Sequence, residues 1–304
     1  MERIAAIVVT YNRKALLEQC LSALVKQCGA ACEIFVVDNA SSDGTRETVQ
    51  QLASRYANIR YRNTGENLGG AGGFHFGIRW AMEDAFDYLW VMDDDCIPQP
   101  DALAEFLKAD RTLGGPDNYG WLSSLCLWKD GALCTLNVQR ATPYKDIAEI
   151  RNTLTEAQMA TFVSLFVPVG TVKVFGLPIK EFFIWADDWE YTRRISRKRK
   201  CYVVGSSKVV HSTKSNLCAN IVTDTPERLP RYWYSYRNDV YLYRREGVKG
   251  WIWILVKNTA HSVKVLLAGR ECFSKWKTIW GGFFSGVRFL PPIEMWNETD
   301  KAGG

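Results

Sequence analysis

The sequence predicts a doubly wound α/β fold, and three observations carry that prediction. Short β-prone runs recur at residues 4–9, 34–37, 59–62 and 88–92. Segments with helical spacing of apolar residues separate them. Each run ends in polar or glycine residues, all within the first third of a 304-residue chain. Strand–helix alternation of this kind makes a parallel sheet with crossover helices. Its strands then deliver their polar ends to one edge, where open α/β sheets bind ligands.

The elements follow in order. Residues 4–9 form a buried strand that runs into Thr10, Tyr11, Asn12 and Arg13. Leu16, Leu17, Cys20, Leu21, Leu24 and Val25 then mark one face of a helix that Gly29 ends. The second strand delivers Asp38 and a Ser/Asp/Gly turn, in which Asp43 suits an N-cap for a helix from Thr45 to about Tyr56. The third strand leads to a glycine-rich loop over 63–73, with Asn67, Gly69 and Gly70, and a helix over 74–85 follows. His75 stands where a dinucleotide fingerprint needs glycine, and the loop follows the third strand rather than the first, so an NAD site is excluded. Either the loop is a flexible turn, or its glycines admit a pyrophosphate or sugar against the backbone.

The fourth strand, 88–92, runs straight into Asp93, Asp94 and Asp95. On an extended strand Asp93 and Asp95 point one way and Asp94 the other. Two such carboxylates suit a hard divalent cation with a phosphate beyond it; the plain alternative is an acidic turn. Beyond a short helix at 101–110, residues 119–128 and 162–167 read as strands of a mixed sheet. The polar segment 136–158 reads as a mobile loop. Residues 182–194 bring Trp185, Asp187 and Asp188 to the start of a helix. One Asp there is an ordinary cap, whereas two beside Trp185 and Trp189 suit a sugar, whose C–H face stacks while its hydroxyls donate to carboxylate. A strand pair over 203–211 ends in His211, either a structural histidine or a further metal ligand.

Composition narrows the class. A net charge of +5 with 47% hydrophobic residues describes a globular chain and does not call for nucleic acid. Nine cysteines without a CxxC pair, mostly inside apolar runs (Cys20, Cys28, Cys96, Cys126, Cys201), and no leader before the first strand, read as reduced, buried thiols in a cytoplasmic protein. Cys28 and Cys32 lack partners at zinc-ligand spacing. The C-terminal third is basic and aromatic. A helix is expected over 226–243, then shorter segments at 251–256 and 263–268 broken at Lys257, then 273–284. Between Lys249 and Arg288 lie seven Lys or Arg and a single acid, Glu271. Such faces suit an anionic membrane surface, a bundle packed on the first domain, or a homo-oligomer interface. Residues 297–304 read as disordered.

Taken together, the runs 8–13, 36–45, 93–95 and 182–194 resemble family 2 inverting glycosyltransferases of the GT-A fold, in consistent order from Ile4 to His211. The run 66–74 is similar to that of bacterial galactofuranosyltransferases and rhamnosyltransferases, and the Asp pair and His211 lean to the former. The resemblance implies a Rossmann-like, mostly parallel sheet. It implies a catalytic domain over 1–215, with a nucleotide half at 1–97 and an acceptor half at 98–215, and a helical region over 216–304. It implies a nucleotide sugar, UDP-galactofuranose or alternatively dTDP-rhamnose, held by Thr10, Asn12, Arg13, Asp38, Asn67, Gly69, Gly70 and Asp94, with Asp38 on the base edge. Asp93, Asp95 and His211 would hold Mn²⁺ or Mg²⁺. Asp188 would be the general base, with Trp185 and Asp187 on a lipid-linked glycan acceptor at the inner face of the membrane. Ala186 separates Trp185 from the Asp pair, where the galactofuranosyl pattern has Trp directly before it. Two rivals fit less well. A nucleotidyltransferase needs glycines after the first strand that residues 10–14 lack, and a non-catalytic sugar-nucleotide binder needs no paired Asp.

Overall fold

The computed structural model describes residues 2–213 and 215–297; apart from Asn297, the expected disordered tail lies outside them. The first half alternates as expected: β1 (Ile4–Thr10), α1 (Lys14–Leu24), β2 (Glu33–Asp38), α2 (Thr45–Arg55), β3 (Ile59–Asn63), α3 (Gly69–Ala81) and β4 (Tyr88–Asp93). Then follow β5 (Cys96–Pro98), α4 (Ala102–Leu113), β6 (Leu122–Leu127), β7 (Arg140–Thr142), β8 (Lys145–Asp146), β9 (Leu154–Glu156), β10 (Leu165–Pro168), α5 (Val169–Phe175), α6 (Asp187–Ser196) and β11 (Tyr202–His211). Three helices close the described chain: α7 (Leu229–Arg244), α8 (Gly247–Ala268) and α9 (Cys272–Arg288).

Among the described residues, the main sheet runs β3-β2-β1-β4-β10-β6-β11-β5, with β9 on β11. Strands β1 to β4 are parallel, while β10 lies antiparallel between β4 and β6. Side-chain alternation along the strands splits the core into two layers. Ile4, Ala6, Val8, Ile34, Val36 and Trp90 face α1, α2 and α4. Ala5, Ile7, Val9, Phe35, Val37 and Val91 face α3, α5 and α6. Register brings Thr10 opposite Asp38, Val9 opposite Asp93, and Asp38 opposite Asn63, so the polar strand ends converge on one edge.

Five local expectations are corrected. Gly69 to Gly73 belong to α3 rather than to a loop. A Cβ at Gly73 would lie 2.5 Å from Val9 Cγ1, and one at Gly77 would lie 2.5 Å from Ile7 Cγ2, so glycine lets this helix press onto β1. Asp43 does not occupy the N-cap of α2, which Gly44 takes. Its carboxylate accepts from the Lys14 and Thr45 backbone N–H groups and so ties α1 to α2. Segment 136–158 is not one long loop: β7 pairs with β8 and β9 pairs with β11. Residues 203–211 are one strand with a register break between Val204 and Lys208, not a pair. Lys257 does not break the C-terminal region. It lies within α8, a 22-residue helix, where it pairs with Asp239 of α7.

Candidate active site

The site is built on the ends of β1, β4 and β11. Asp94 and Asp95 are buried. Asp94 accepts from Thr10 Oγ1 at 2.7 Å and from Arg13 Nη1 at 3.2 Å. The same Arg13 nitrogen lies 2.7 Å from Asp95 Oδ2. His211 Nε2 stands 2.9 Å from Asp95 Oδ1, yet off the hydrogen-bond axis, so that buried oxygen has no aligned donor. Ligand atoms of Asp93, Asp95 and His211 lie within 4.8 Å of one another.

Electrostatics sharpens this picture. Burial, and then the neighbouring Asp95 charge, push Asp93 up to about 7. Burial likewise raises Asp94 to about 6 against the pull of Arg13. Asp95 falls below the usual range because His211 and Arg13 outweigh its burial. Burial alone would lower His211, but the contact with Asp95 raises it to about 10. Three close-set carboxylates, two of them buried, crowd one Arg and one His, and a divalent cation would relieve that crowding. Asp93, Asp95, His211 and the undonated Asp95 oxygen therefore fit an oxygen- and imidazole-binding ion such as Mn²⁺ or Mg²⁺.

The second acidic cluster opens α6. The chain enters it through a strained turn: Phe183, Trp185 and Ala186 all have φ between 62° and 67°, a region costly for residues with a Cβ. Asn238, fully buried on α7, holds that turn. Its Nδ2 donates to the carbonyls of Phe182, Ile184 and Trp185 at 3.0, 3.1 and 2.8 Å. Arg237 adds bonds to the carbonyls of Glu181 and Phe182. Asp187 is buried, and burial pushes its carboxyl up to about 6. Asp188 is raised further, by burial first, then by the charges of Asp187 and Asp93. The two acidic clusters therefore lie within electrostatic reach of each other. Trp185 packs edge-on against Tyr232, with ring centroids 5.3 Å apart, while Arg140 lies over Trp189 at 4.2 Å.

The remaining expected residues fall into place with differences. Asn12, with φ of 53°, accepts from the Ser42 N–H. Asn67 Oδ1 accepts from the Gly69 N–H at 2.9 Å, just before the first turn of α3. A Cβ at Gly69 would meet the Phe183 carbonyl oxygen at 2.1 Å, so glycine there admits the turn before Asp187. Gly70 faces open space. Asp38 is fully buried, and its oxygens accept from Tyr61, Asn63 and the Ser41 N–H. It has no face open to a base edge in this conformation and instead shapes the loop after β2. Cys28 is exposed rather than buried, and no metal-spaced group joins it to Cys32 among the described residues.

Sequence reading missed Asn137 and Asn238. Asn137 lay in the segment read as a loop, where nothing marked it. Asn238 did leave a signal: helical spacing sets this amide beside Tyr234, Tyr241 and Leu242 on α7, and a buried amide needs partners.

Fold and site together define a glycosyltransferase of the GT-A fold. The solved structures of S. aureus TarS residues 1–349 in complex with UDP (TM-score 0.56, 15% identity) and of the Pyrobaculum calidifontis mannosyltransferase PcManGT in complex with GDP-Man and Mn²⁺ (TM-score 0.56, 16% identity) share that fold. Each covers 95% of this chain; the chain in turn spans 72% and 76% of them. Residues 5–114 match the model for glycosyl transferase family 2. Galactofuranosyltransferase GlfT1 of Mycolicibacterium smegmatis is 27% identical over 266 residues, which are 82% of this chain and 85% of that protein. Its namesake from Mycobacterium tuberculosis H37Rv is 26% identical over the same length, 82% of this chain and 84% of that protein. The protein is a glycosyltransferase that resembles family 2 enzymes, galactofuranosyltransferases among them.

Proposed function

We propose that this enzyme is a metal-dependent inverting transferase. It moves galactofuranose from UDP-galactofuranose to a lipid-linked glycan, in the assembly of a bacterial surface polysaccharide such as O-antigen, capsule or cell-wall galactan. The observation that carries the reading is the approach of two acidic clusters: the Phe183 carbonyl of the turn before Asp187 accepts from the Ala71 N–H in the first turn of α3, and the Asp93 charge reaches Asp188. Likeness to galactofuranosyltransferases over 82% of the chain supports the donor.

The division of labour follows from the chemistry. Asp93, Asp95 and His211 would hold Mn²⁺ or Mg²⁺. When bound, the ion supplies Lewis-acid neutralisation of the diphosphate leaving group. Arg13, half exposed and charged, orients phosphate oxygens, with Thr10, Asn12 and Asp94 shaping that subsite. Asn67 and Gly70, at the N-terminus of α3, offer backbone N–H groups to the donor. Asp188 takes the proton of the acceptor hydroxyl, and its raised proton affinity makes it a stronger base. Asp187 and Trp185 border the acceptor. The catalytic unit spans 1–215, with its nucleotide half at 1–97 and its acceptor half at 98–215. Residues 216–304 carry the enzyme to the inner face of the membrane, where lipid-linked acceptors reside. No helix among the described residues is long and apolar enough to cross a membrane.

A donor panel tests this reading. Purified protein with Mn²⁺ is offered nucleotide sugars with and without a galactose-terminated acceptor, and nucleoside diphosphate release is followed. Turnover of UDP-galactofuranose is expected. Turnover of dTDP-rhamnose alone overturns the donor while keeping the base and the fold.

A further inference from the structure

Resting on the reading of Asp93, Asp95 and His211 as a cation site, we propose that Asn137 is the positioning residue that decides which nitrogen of His211 faces the cation. His211 is buried and held from both sides. Its Nε2 stands 2.9 Å from Asp95 Oδ1, and its Nδ1 lies 2.6 Å from Asn137 Oδ1. A neutral imidazole carries one N–H, and only the bare nitrogen can ligate a metal. Donation of Nδ1–H to an amide oxygen leaves Nε2 bare and aims it at the two carboxylates.

The amide is itself held in the orientation this requires. Asn137 Nδ2 donates to the buried Thr161 Oγ1 at 3.1 Å. On the other side, Oδ1 receives the Cys134 thiol at 3.2 Å and the more distant Cys126 thiol at 4.0 Å. Three groups that can donate thus surround the oxygen. With the amide reversed, its N–H would face Nδ1, the proton would move to Nε2, and the ring would present a hydrogen to the cation. The backbone fixes the residue as well: the Asn137 N–H donates to the Cys134 carbonyl, and the Cys134 N–H to the Cys126 carbonyl on β6.

A rival use of the cluster is a soft-metal site. Cys126, Cys134 and His211 also offer ligand atoms within 4.8 Å of one another. Asn137 Oδ1 already stands within 4.0 Å of all three ligand atoms and takes up their hydrogen bonds. The four residues therefore form a hydrogen-bonded cage behind the ligand histidine.

The test is direct Mn²⁺ binding to the full-length protein without donor, read by electron paramagnetic resonance of the free ion. Asn137→Leu should weaken binding about 10- to 100-fold, the usual effect of losing a partner behind a ligand histidine. Asn137→Asp, whose carboxylate still accepts from Nδ1–H, should stay within about threefold of wild type. In the Mg²⁺-loaded wild type, ¹⁵N shifts of His211 should show Nδ1 protonated. Wild-type affinity in Asn137→Leu, or a proton on Nε2, overturns the proposal. If Asn137→Leu does not fold, Thr161→Val carries the test. Loss of the anchor on Nδ2 should weaken Mn²⁺ binding about threefold or more, and unchanged binding counts against the proposal. His211→Ala separates the two claims. If it binds Mn²⁺ like wild type, the cation site itself falls, and this inference with it. If it binds weakly while Asn137→Leu does not, only the role of Asn137 falls.

Discussion

Asp95 and Asp188 do different work because their surroundings differ. Asp95 is kept charged by His211 and Arg13 and has one oxygen without an aligned donor, as a metal ligand requires. Asp95→Ala should abolish Mn²⁺-dependent binding of the nucleotide sugar in calorimetry; unchanged binding would remove the cation assignment. Asp188 is pushed the other way, by burial and then by Asp187. Asp188→Asn should leave donor binding intact while transfer falls by about 10²–10⁴, the worth of a placed base. The opposite pattern in Asp187→Asn would move the base by one residue. The pH dependence has a definite sign. A carboxyl with raised proton affinity stays protonated, and idle as a base, to higher pH than usual. The rate should therefore rise as pH climbs through that raised value, and Asp187→Asn, by removing the adjacent charge, should shift the rising limb to lower pH. A kcat–pH profile of both proteins reads this directly.

Helix α3 and the turn before α6 show how elements place these residues. Glycines let α3 lie against β1, and Gly69 receives the Phe183 carbonyl. Gly77→Ala adds a Cβ 2.5 Å from Ile7 Cγ2 and 2.9 Å from Val37 Cγ2. Overpacking of this kind should destabilise the protein by about 1–3 kcal/mol in denaturant titration. The turn itself stores strain that α7 restrains through Asn238. Asn238→Asp keeps the shape but replaces a donor facing three carbonyls with an acceptor. Release of the turn should lower kcat about 10²-fold, the scale of a 1 Å misplacement, with Mn²⁺ binding unchanged. A variant that loses Mn²⁺ binding as well would show that the helix supports the whole site and not the base alone.

Across the whole molecule, the closing helices face two ways. Gly250, Ile254, Asn258, Ser262 and Val265 bury one side of α8. Ile252, Val256, Val263 and Leu267 are exposed within one arc of its other side, and Phe273 and Phe284 are exposed on α9. Lys and Arg residues flank that surface and no acid but Glu271 lies within it in sequence. An apolar arc with basic neighbours suits the interface of an anionic bilayer. Ile252→Asp combined with Leu267→Asp should cut sedimentation with phosphatidylglycerol vesicles about tenfold or more, since each removes a buried side chain's worth of apolar area. Undiminished sedimentation would assign that face to another use. Through Asn238, α7 joins this region to the turn that positions Asp188.

Local chemistry in the chain already contained the doubly wound half, its strand order of delivery, the Asp93–Asp95 triplet and the Asp187–Asp188 pair. Period-2 and period-3.6 patterns and strand-end polarity are properties of neighbours in sequence, so they could be read without coordinates. What depends on long-range packing could not be read. His211 meets Asp95 only because β11 pairs with β5 in register. Asn137 reaches His211 across 74 residues, and Asn238 grips carbonyls more than 50 residues away. Gly69 lies against the Phe183 carbonyl, and Asp38 is turned inward by Tyr61 and Asn63. A residue's type limits the bonds it can make; the partner is chosen by which distant element the sheet and the closing helices bring against it.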